Sequence, residues 1–271
     1  MIPRIIHYCW FGRGEMPDLV QKCIVSWHKH MPNWEYRLWD EDILKLILNM
    51  PTPNPSLKGR AQSPSINPPI SRDDDWLEYM PAYVQEAYAA KKYAFVSDYV
   101  RLWVLEREGG VYMDVDFEVY KPFDDLMDKY DAFAGYEGSK RNPVMMGVIA
   151  AKQHHPWIQG MLQTYENRMF VKADGSLDMT PNTGYFLDWM HEWGFVADGK
   201  EKDFMDVHIL PAECFCPILT TGENLRSERT YCEHKGLHSW SGNGGWKAKL
   251  LNSVGTKWKI RLIKLKRQLL G

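Results

Sequence analysis

The stretch Glu108-Gly-Gly-Val-Tyr-Met-Asp-Val-Asp-Phe-Glu-Val-Tyr120 decides the fold class, because a helical pattern stops here and a strand-like pattern begins. Before it, apolar residues recur at helical spacing over 82–108, and Gly109-Gly110 is typical of a helix C-terminus. Residues 111–120 then alternate between apolar and polar side chains, as a strand does. We therefore predict a long helix that leads directly into a strand.

The rest of the chain continues this succession of strands and helices. Apolar or alternating runs predict strands at 4–10, 34–39 and 144–151, and helical spacing predicts helices at 19–30, 41–48 and 157–169. Asp40 is placed to cap the second of these helices. Strands that alternate with helices favour an α/β fold, in which helices flank a mostly parallel sheet.

Two shorter segments are interpreted locally. Asn182-Thr-Gly184 follows Pro181 and favours a plain turn over an acceptor-side loop. Cys214-Phe-Cys216 is typical of a buried strand.

The composition is that of a globular protein with many aromatic residues. At 271 residues, with 45% hydrophobic and 25% charged residues, the chain fits one large domain, alone or with a small appendage. Its 12 Trp and 14 Tyr offer flat apolar faces with a polar edge, which suit stacking on sugars and bases as well as packing in a core. The net charge of −2 does not favour a nucleic-acid partner.

The cysteine pattern and the N-terminus indicate a cytoplasmic protein. The chain has five cysteines and no C-x-x-C pair, so we expect reduced thiols rather than a disulfide framework or a zinc ribbon. The opening Met1-Ile-Pro-Arg-Ile-Ile-His7 lacks the apolar core of a signal peptide, and no apolar run reaches the ~20 residues of a membrane span.

Two segments differ from the rest in composition. Prolines are frequent over 51–75, which predicts a loop. Residues 247–271 contain eight Lys or Arg and no Asp or Glu, and 257–270 place apolar residues on one helical face. This pattern predicts a basic amphipathic tail that either contacts an anionic membrane surface or packs on the domain. We therefore expect a main domain at 1–246, which includes the loop, followed by the tail at 247–271.

Three pairs of aspartates are spaced two apart, and only one of them follows an apolar strand. Asp40/Asp42 lies at a predicted helix start, where acids cap the helix. Asp73/Asp75 ends the proline-rich loop. The third pair, Asp114/Asp116, lies where alternation along a strand would point both carboxylates to one face. The third pair has the position of a ligand site, because open α/β sheets bind ligands outside the carboxyl ends of strands.

Asp114 and Asp116 are candidates for a metal site. Two carboxylates this close together repel each other unless a cation lies between them. Hard oxygen ligands favour Mg²⁺ or Mn²⁺, and these ions in turn bridge the phosphates of a diphosphate. The alternative is a strand end whose two acids are simply solvated.

Asp98 and Arg101 form a second candidate pair, on the helix before the strand. Their i, i+3 spacing puts them on one helical face. An exposed ion pair is the alternative, but the neighbours at 99–100 and 102–104 are apolar or aromatic, which does not favour a solvent-facing side. The forked donors of arginine suit sugar hydroxyls and phosphates.

These segments together resemble the signature of glycosyltransferase family 32, the D-x-D sugar-binding family. The resemblance is carried by Ala94-Phe-Val-Ser-Asp-Tyr-Val-Arg101 and Glu108-Gly-Gly-Val-Tyr-Met-Asp-Val-Asp116. Ile2-Pro-Arg-Ile-Ile-His-Tyr-Cys-Trp10, Pro32-Asn-Trp-Glu-Tyr-Arg-Leu-Trp-Asp40 and residues 231–240 fit it too. The family includes fungal initiating mannosyltransferases and bacterial capsule and exopolysaccharide enzymes, and it is similar to the catalytic domain of the clostridial glucosylating toxins.

The resemblance implies a GT-A fold, a retaining reaction, and a divalent metal such as Mn²⁺ or Mg²⁺. The implied donor is a UDP- or GDP-sugar, and the implied acceptor is a saccharide or a lipid-linked saccharide used to build a surface polysaccharide. Such an acceptor would make membrane contact through the tail useful.

The resemblance also implies individual roles for site residues. The expected donor-binding residues are Trp10 at the base, Asp98, Arg101 and Tyr112 at the sugar, Asp114 at ribose or sugar hydroxyls, and Trp240 at the diphosphate. The expected metal ligands are Asp116, His238 and Asp114, although His234 is close to His238 in sequence and related enzymes differ at this place. Asp98, Arg101, Asp114 and Asp116 are the expected catalytic residues. No nucleophile or base stands out, which favours departure and attack on the same face of the sugar.

Two other functions are weighed against this one. A sugar nucleotidyltransferase can share the architecture but needs a fuller glycine-rich phosphate loop than Trp10-Phe-Gly-Arg-Gly14 provides. A carbohydrate- or nucleotide-sugar-binding protein that has lost activity would not need Asp114, Asp116 and Arg101 together. The presence of all three therefore argues against this function.

Overall fold

The computed structural model describes residues 1–48, 75–139, 142–219 and 221–236. Its centre is a seven-stranded mixed sheet in the order β2-β1-β3-β6-β5-β8-β7. The strands of this sheet are β1 (Ile5–Cys9), β2 (Glu35–Trp39), β3 (Gly110–Met113), β5 (Ala132–Tyr136), β6 (Val144–Ala151), β7 (Lys202–Phe204) and β8 (Val207–Leu210). A separate antiparallel pair is formed by β4 (Phe117–Val119) and β9 (Cys232–His234).

Seven α-helices connect these strands in the described ranges. They are α1 (Asp18–His30), α2 (Glu41–Leu48), α3 (Ala82–Ala89), α4 (Tyr93–Glu108), α5 (Asp124–Lys129), α6 (Pro156–Gln163) and α7 (Asn182–Glu192). Short 3-10 helices lie at Asp75–Tyr79 and Ala212–Cys214. The strands predicted at 4–10, 34–39 and 144–151 and the helices predicted at 19–30 and 41–48 agree with these bounds to within one residue.

Five of the seven strands of the large sheet point the same way. β1 is parallel to β2 and β3, and β5 is parallel to β8, whereas β6 and β7 run antiparallel to their neighbours. The prediction of an α/β fold with a mostly parallel sheet flanked by helices is confirmed. We call the edge where β1, β3, β5 and β8 end the carboxyl edge, and the opposite edge the amino edge.

The core lies on both faces of the sheet because successive side chains of a strand alternate in direction. On β3, Val111 and Met113 belong to one apolar cluster, together with buried residues of α1 and α5. Tyr112 belongs to the other cluster, with residues of α3, α4, α6 and α7. Helices therefore cover each face, and strand ends are left open at the edges.

Helix α1 holds the chain that follows β3. Trp27 is fully buried, and its indole donates to the Phe117 carbonyl at 2.6 Å. The Ser26 hydroxyl accepts from the Val119 amide at 2.9 Å. Truncation of Trp27 to alanine would cost about 3–5 kcal/mol and loosen β4.

Three predicted elements away from the site differ from the structure. The helix predicted at 82–108 is interrupted, because Lys91 adopts a left-handed backbone (φ 56°) that ends α3 before α4 begins. The helix predicted at 157–169 ends at Gln163, where single turns take over. Cys214-Phe-Cys216 is buried as expected, but the segment starts in a 3-10 helix and is no strand.

Several predictions concern residues outside the described ranges. Residues Met1–His234 form one compact unit. The boundary at 246, the tail at 247–271 and nearly all of the loop at 51–75 lie outside the described residues and stay predictions. In the described part of the chain, no helix has the length and apolar character to cross a bilayer.

Candidate active site

Asp114 and Asp116 lie in a turn at the carboxyl edge, directly after β3. The Asp114 amide donates to the Gly147 carbonyl of β6 at 2.8 Å, and the Phe117 amide donates to the Asp114 carbonyl at 3.2 Å. The single strand predicted over 111–120 is therefore wrong. A turn closes between β3 and β4, because Phe117 leaves the large sheet and pairs with β9. It is this turn, and not alternation along a strand, that brings the two acids together.

Gly147 gives the first of these acids its space. A Cβ atom built there would lie 2.7 Å from the Phe117 ring and 2.9 Å from Asp114 Oδ2. Any other residue at position 147 would therefore push against the carboxylate or the ring that borders it.

Asp98 and Arg101 form a buried pair beside this turn. Arg101 Nη2 donates to Asp98 Oδ1 at 2.8 Å and lies 3.4 Å from Asp114 Oδ1, while Nη1 donates to the Met146 carbonyl at 2.6 Å. Asp98 is 8% exposed and Arg101 is 5% exposed. The exposed ion pair that we considered from the sequence is excluded, since these two side chains face the core and the site.

Tyr112 completes the surroundings of Asp114. Its hydroxyl donates to Asp114 Oδ1 at 2.8 Å, and the Arg101 guanidinium lies 4.6 Å from the centre of its ring. The carboxylate of Asp114 is thus fixed from two sides, while about a third of its side chain (32%) stays open to solvent.

Asn182 is a site residue that the sequence interpretation missed. Its amide Nδ2 donates to Asp98 Oδ1 at 2.8 Å, across 84 positions of sequence, and Asn182 is buried. The plain turn predicted at 182–184 is wrong, because these residues are the first turn of α7. Pro181 before an apolar-periodic run is a helix-start signal that could have indicated this.

Burial changes the acid–base properties of the three charged groups. It raises the pKa of Asp98 to about 6, although Arg101 opposes the shift. It also raises the pKa of Asp114, again against Arg101. Burial would lower the pKa of Arg101, but Asp114, Tyr112 and Asp98 outweigh it and raise that pKa. The site therefore holds a permanent cation between two acids that bind protons more readily than usual.

Asp116 pairs with His234 on the other side of the turn. His234 Nε2 lies 3.1 Å from Asp116 Oδ2, and its ring stacks on Phe117 with centroids 4.8 Å apart. This is the histidine that the sequence left as the alternative to His238. Residues His238 and Trp240 lie outside the described residues, so their predicted roles stay predictions.

Trp10 follows β1 at the same edge. It is half-buried, and its indole donates to the Gly14 carbonyl at 2.6 Å. Cys9, the residue before it, lies next to the site, because Arg101, Asp114 and a hydrogen bond with Tyr112 all act on its thiol. Burial, the largest influence, raises the pKa of that thiol to about 12, so Cys9 stays protonated.

The residues of the turn fit a divalent cation. Asp114 and Asp116 offer oxygen ligands, His234 offers a nitrogen, and Gly147 keeps room at Asp114 Oδ2. Within the described residues, no three His, Cys, Asp or Glu side chains already converge as a complete ligand set. A cation here would therefore take part of its coordination from a bound ligand, as Mg²⁺ does with phosphates.

The fold and the site define an α/β protein with clustered acids and one buried arginine at the carboxyl edge of its sheet. The family described as glycosyltransferase sugar-binding region containing DXD motif matches residues 17–133, which include α4 and the Asp114–Asp116 turn. The resemblance of this chain to the D-x-D glycosyltransferases of family 32 is therefore confirmed.

Curated relatives of the chain carry glycosyltransferase names. An uncharacterised glycosyltransferase of Acanthamoeba polyphaga mimivirus is 23% identical over 248 residues, which cover 89% of this chain and 84% of that protein. Inositol phosphoceramide mannosyltransferase 1 of Schizosaccharomyces pombe is 24% identical over 179 residues, 63% of this chain and 46% of the relative. The chain thus spans about half the length of the yeast protein.

Solved structures of glycosyltransferases show a distant likeness. The PaToxG glycosyltransferase is 20% identical, with 60% of this chain and 59% of that one covered and a TM-score of 0.41. The galactosyltransferase LgtC, solved with donor and acceptor sugar analogs, is 12% identical, with 94% and 99% covered and a TM-score of 0.41.

Proposed function

We propose that the protein is a retaining, metal-dependent glycosyltransferase that moves a hexose from a UDP- or GDP-sugar to a saccharide or lipid-linked saccharide acceptor. The observation that carries this proposal is the continuous network Asn182–Asp98–Arg101–Asp114–Tyr112 at the carboxyl edge, with the Asp116–His234 pair beside it. The network offers fixed acceptors for sugar hydroxyls and adjacent ligands for a cation that would hold the diphosphate.

Each part of the network has a distinct task in this proposal. Asp98 and Asp114 accept hydrogen bonds from the hydroxyl groups of the donor sugar. Asn182 and Tyr112 hold these two carboxylates in place. Arg101 is almost fully buried and engages protein atoms, so it acts mainly as a positioning residue that also counters the charge of the two acids. Asp116 and His234 would bind Mn²⁺ or Mg²⁺, whose charge stabilises the diphosphate as it leaves.

The reaction proposed for this site proceeds on one face of the sugar. The bond between the anomeric carbon and the donor's phosphate oxygen breaks, and the acceptor oxygen forms its bond to that carbon on the same side. The acceptor's proton passes to the departing phosphate oxygen, so no protein base is needed. Isolation of a covalent glycosyl–protein intermediate would contradict this mechanism.

A donor screen tests the proposed function. The purified protein is mixed with UDP- and GDP-hexoses, with Mn²⁺ or with a chelator, and its melting temperature and the release of nucleoside diphosphate are measured. We expect one donor to raise the melting temperature only with the metal, because a ligand that binds only the native state stabilises it. A nucleotidyltransferase would release pyrophosphate from a nucleoside triphosphate instead, and an inactive binding protein would show the thermal shift without turnover.

The aspartate pairs of the chain provide a matched control. Asp116→Asn should abolish metal-dependent turnover and leave the fold intact. Asp42→Asn changes the same residue type in another D-x-D pair, where the Asp42 side chain is 72% exposed and pairs with Arg13, and should leave turnover unchanged. Full activity of Asp116→Asn would remove the assignment.

The setting of the reaction is part of the same proposal. A cytoplasmic protein whose basic tail at 247–271 contacts the inner face of the membrane could reach a lipid-linked acceptor in surface polysaccharide synthesis. Flotation with anionic liposomes, with and without residues 256–271, tests the membrane contact. Equal flotation of the two forms would contradict it.

A further inference from the structure

A short loop follows β1 and borders the candidate active site. We call residues 10–14 the β1 loop. β1 pairs in parallel with β3, so this loop leaves the sheet at the carboxyl edge, next to the turn that follows β3. Cys9, the last residue of β1, already lies close enough to Arg101 and Asp114 for both to act electrostatically on its thiol. The β1 loop therefore forms one flank of the site.

The β1 loop has an unusual and closely packed backbone. Gly12 and Arg13 both have positive φ, at 94° and 56°. A Cβ atom at Gly12 would collide with the ring of Tyr93, the first residue of α4. The Trp10 indole donates to the Gly14 carbonyl at 2.6 Å and closes the loop. Such a backbone persists only where the surrounding structure holds it in place.

Glu41 holds the β1 loop from inside the protein. Its Oε1 atom accepts from the Gly12 amide at 2.7 Å and from the Tyr88 hydroxyl at 3.1 Å. Glu41 is the first residue of α2, but Asp40 caps that helix, and Glu41 is only 2% exposed. Removal of a carboxylate from water is costly unless hydrogen bonds replace the lost solvent. This buried acid is therefore directed at the loop and is not an ordinary solvated acid of a first helical turn.

The next residue, Asp42, contacts the same loop in a different way. It pairs with Arg13 at 3.0 Å, but the side chains of Asp42 and Arg13 are 72% and 50% exposed. An exposed pair of this kind contributes little to stability. Two consecutive acids thus contact two consecutive residues of the β1 loop, one buried and one in solvent.

The contacts of Glu41 also connect the β1 loop to the helix that carries the sugar-binding candidates. Tyr88, which donates to Glu41, packs edge-on against Tyr93 with ring centroids 5.5 Å apart. Tyr93 begins α4, and α4 carries Asp98 and Arg101. Glu41 therefore helps to fix the position of the loop relative to α4.

The position of the β1 loop suits the nucleotide end of the proposed donor. In a nucleoside diphosphate sugar the base lies at the far end from the sugar, beyond the diphosphate. β1 is the strand next to β3 in the sheet, so the loop lies directly beside the turn that would hold the diphosphate. There Trp10 presents a half-buried indole, and an indole has a flat apolar face on which a base can stack.

We propose that Glu41 is a positioning residue for the base of the donor. It accepts from the Gly12 amide, fixes the shape of the β1 loop and so orients the Trp10 indole. The inference rests on the proposed function, since it assigns the residue that orients the nucleotide end of that donor.

The test separates the base from the rest of the donor. KM and kcat are measured with the UDP- and the GDP-form of the hexose found in the screen. Glu41→Ala leaves the Gly12 amide without its acceptor, so we expect the KM of the preferred donor to rise about tenfold while kcat changes less than about threefold. The ratio of kcat/KM between the two bases should narrow several-fold, because a base that is not held in one orientation is less well distinguished.

Two further variants serve as rescue and control. Glu41→Gln keeps an oxygen at the position of Oε1, which takes both hydrogen bonds, so its donor KM should stay within about threefold of the wild-type value. Asp42→Ala removes only the exposed contact with the loop and should match the wild type. If Glu41→Ala does not fold, Glu41→Asp replaces it. That variant keeps the charge but withdraws it from the Gly12 amide, and a several-fold rise in donor KM is expected.

Three results would overturn the inference and leave the transferase standing. The first is an unchanged donor KM in folded Glu41→Ala, or in Glu41→Asp where that variant replaces it. The second is an equal loss for both bases, since this would reflect a general weakening of the protein and not the orientation of a base. The third is a Glu41→Gln variant as impaired as Glu41→Ala, which would exclude the hydrogen bond to Gly12 as the cause. A wild-type protein that shows no thermal shift and no nucleoside diphosphate release overturns the proposed function itself.

Discussion

Arg101 Nη2 lies 2.8 Å from Asp98 Oδ1, and the two residues are one helical turn apart on α4 with both side chains buried. The same guanidinium reaches Asp114 after β3 and the Met146 carbonyl on β6. One side chain therefore ties the helix to two adjacent strands at the point where the site is formed.

Replacement of Arg101 should reduce stability as well as turnover. Arg101→Met removes the cation and leaves Asp98 and Asp114 without it, which for a buried pair costs about 3–5 kcal/mol. Arg101→Lys keeps the charge but offers fewer fixed donors and should lose less. Urea unfolding measures both variants. Equal stability of Arg101→Met and the wild type would show that the pair is not needed for the fold.

Removal of the Asn182 amide should weaken donor use while the fold is kept. Asn182→Ala takes one hydrogen bond from Asp98, and such a bond to a charged acceptor is worth about 1.5–3 kcal/mol. We therefore expect kcat/KM for the donor to fall about tenfold or more. Asn182→Asp brings a second carboxylate to Asp98 and should be worse. Asn224→Ala, in an exposed loop, is the control. Unchanged kcat/KM in Asn182→Ala would exclude a role in donor binding.

Activity should decline in acid with the ionisation of Asp98. Burial raises the pKa of Asp98 to about 6, so below pH 6 the carboxylate gains a proton and loses its charged contact with Arg101. Below this pKa we expect kcat/KM for the donor to fall about tenfold per pH unit. The pH dependence of kcat/KM reports the pKa values of essential groups in the free enzyme. The raised pKa has the opposite effect on stability. Between about pH 4 and 6 the folded state holds a proton that the unfolded state has lost, so this group's contribution falls as pH rises.

A pH–rate profile from 4.5 to 8 checks this prediction. A profile that is flat through pH 6 would mean that the charge of Asp98 is not needed for turnover. Circular dichroism at each pH shows whether a loss of rate reflects chemistry or unfolding.

His7 should make the fold sensitive to acid. Its Nε2–H donates to the Gly109 carbonyl at 2.9 Å, and its Nδ1 accepts from the Trp39 indole at 3.0 Å, so the buried ring fits only as the neutral form. Burial lowers its pKa to about 4. In the unfolded state the ring binds a proton below about pH 6.5, so stability is lost as pH falls from 6.5 to 4, by about 3 kcal/mol in total.

Urea unfolding at pH 7, 6, 5 and 4 measures this loss. His7→Gln keeps a donor and an acceptor but cannot titrate, so its unfolding free energy should depend less on pH over this range. The same acid dependence in His7→Gln and the wild type would assign the effect to other groups.

The sequence was sufficient to predict the parts of the site that depend on local order. Asp98 and Arg101 share a helical face, and the D-x-D pair follows an apolar strand, so both could be placed from periodicity. The cap of α2 was predicted as well, since Asp40 Oδ1 accepts from the Ile43 amide at 2.9 Å. The exposed position of Asp42 supports the choice of Asp114/Asp116 among the three pairs.

Features that depend on distant contacts were not predictable in the same way. Apolar alternation continues through Val115, Phe117 and Val119, so the turn between β3 and β4 looks like strand until the pairing with β9 is known. The break at Lys91 has no glycine or proline to mark it. Asn182 meets Asp98 only because α7 packs against β6, next to the strand that α4 leads into, and no spacing in the sequence encodes a contact across 84 positions.

The reversed direction of β6 has a consequence for how this protein could diversify. If the strand after β5 were parallel to it, a long crossover connection would be required. Because β6 is antiparallel to β5, a short connection at 137–143 at the carboxyl edge is enough. Surface hairpins tolerate insertion and replacement at little energetic cost. Insertions or replacements in this one short connection could therefore change the carboxyl edge without disturbing helix α4 and the turn that carry Asp98, Arg101 and Asp114.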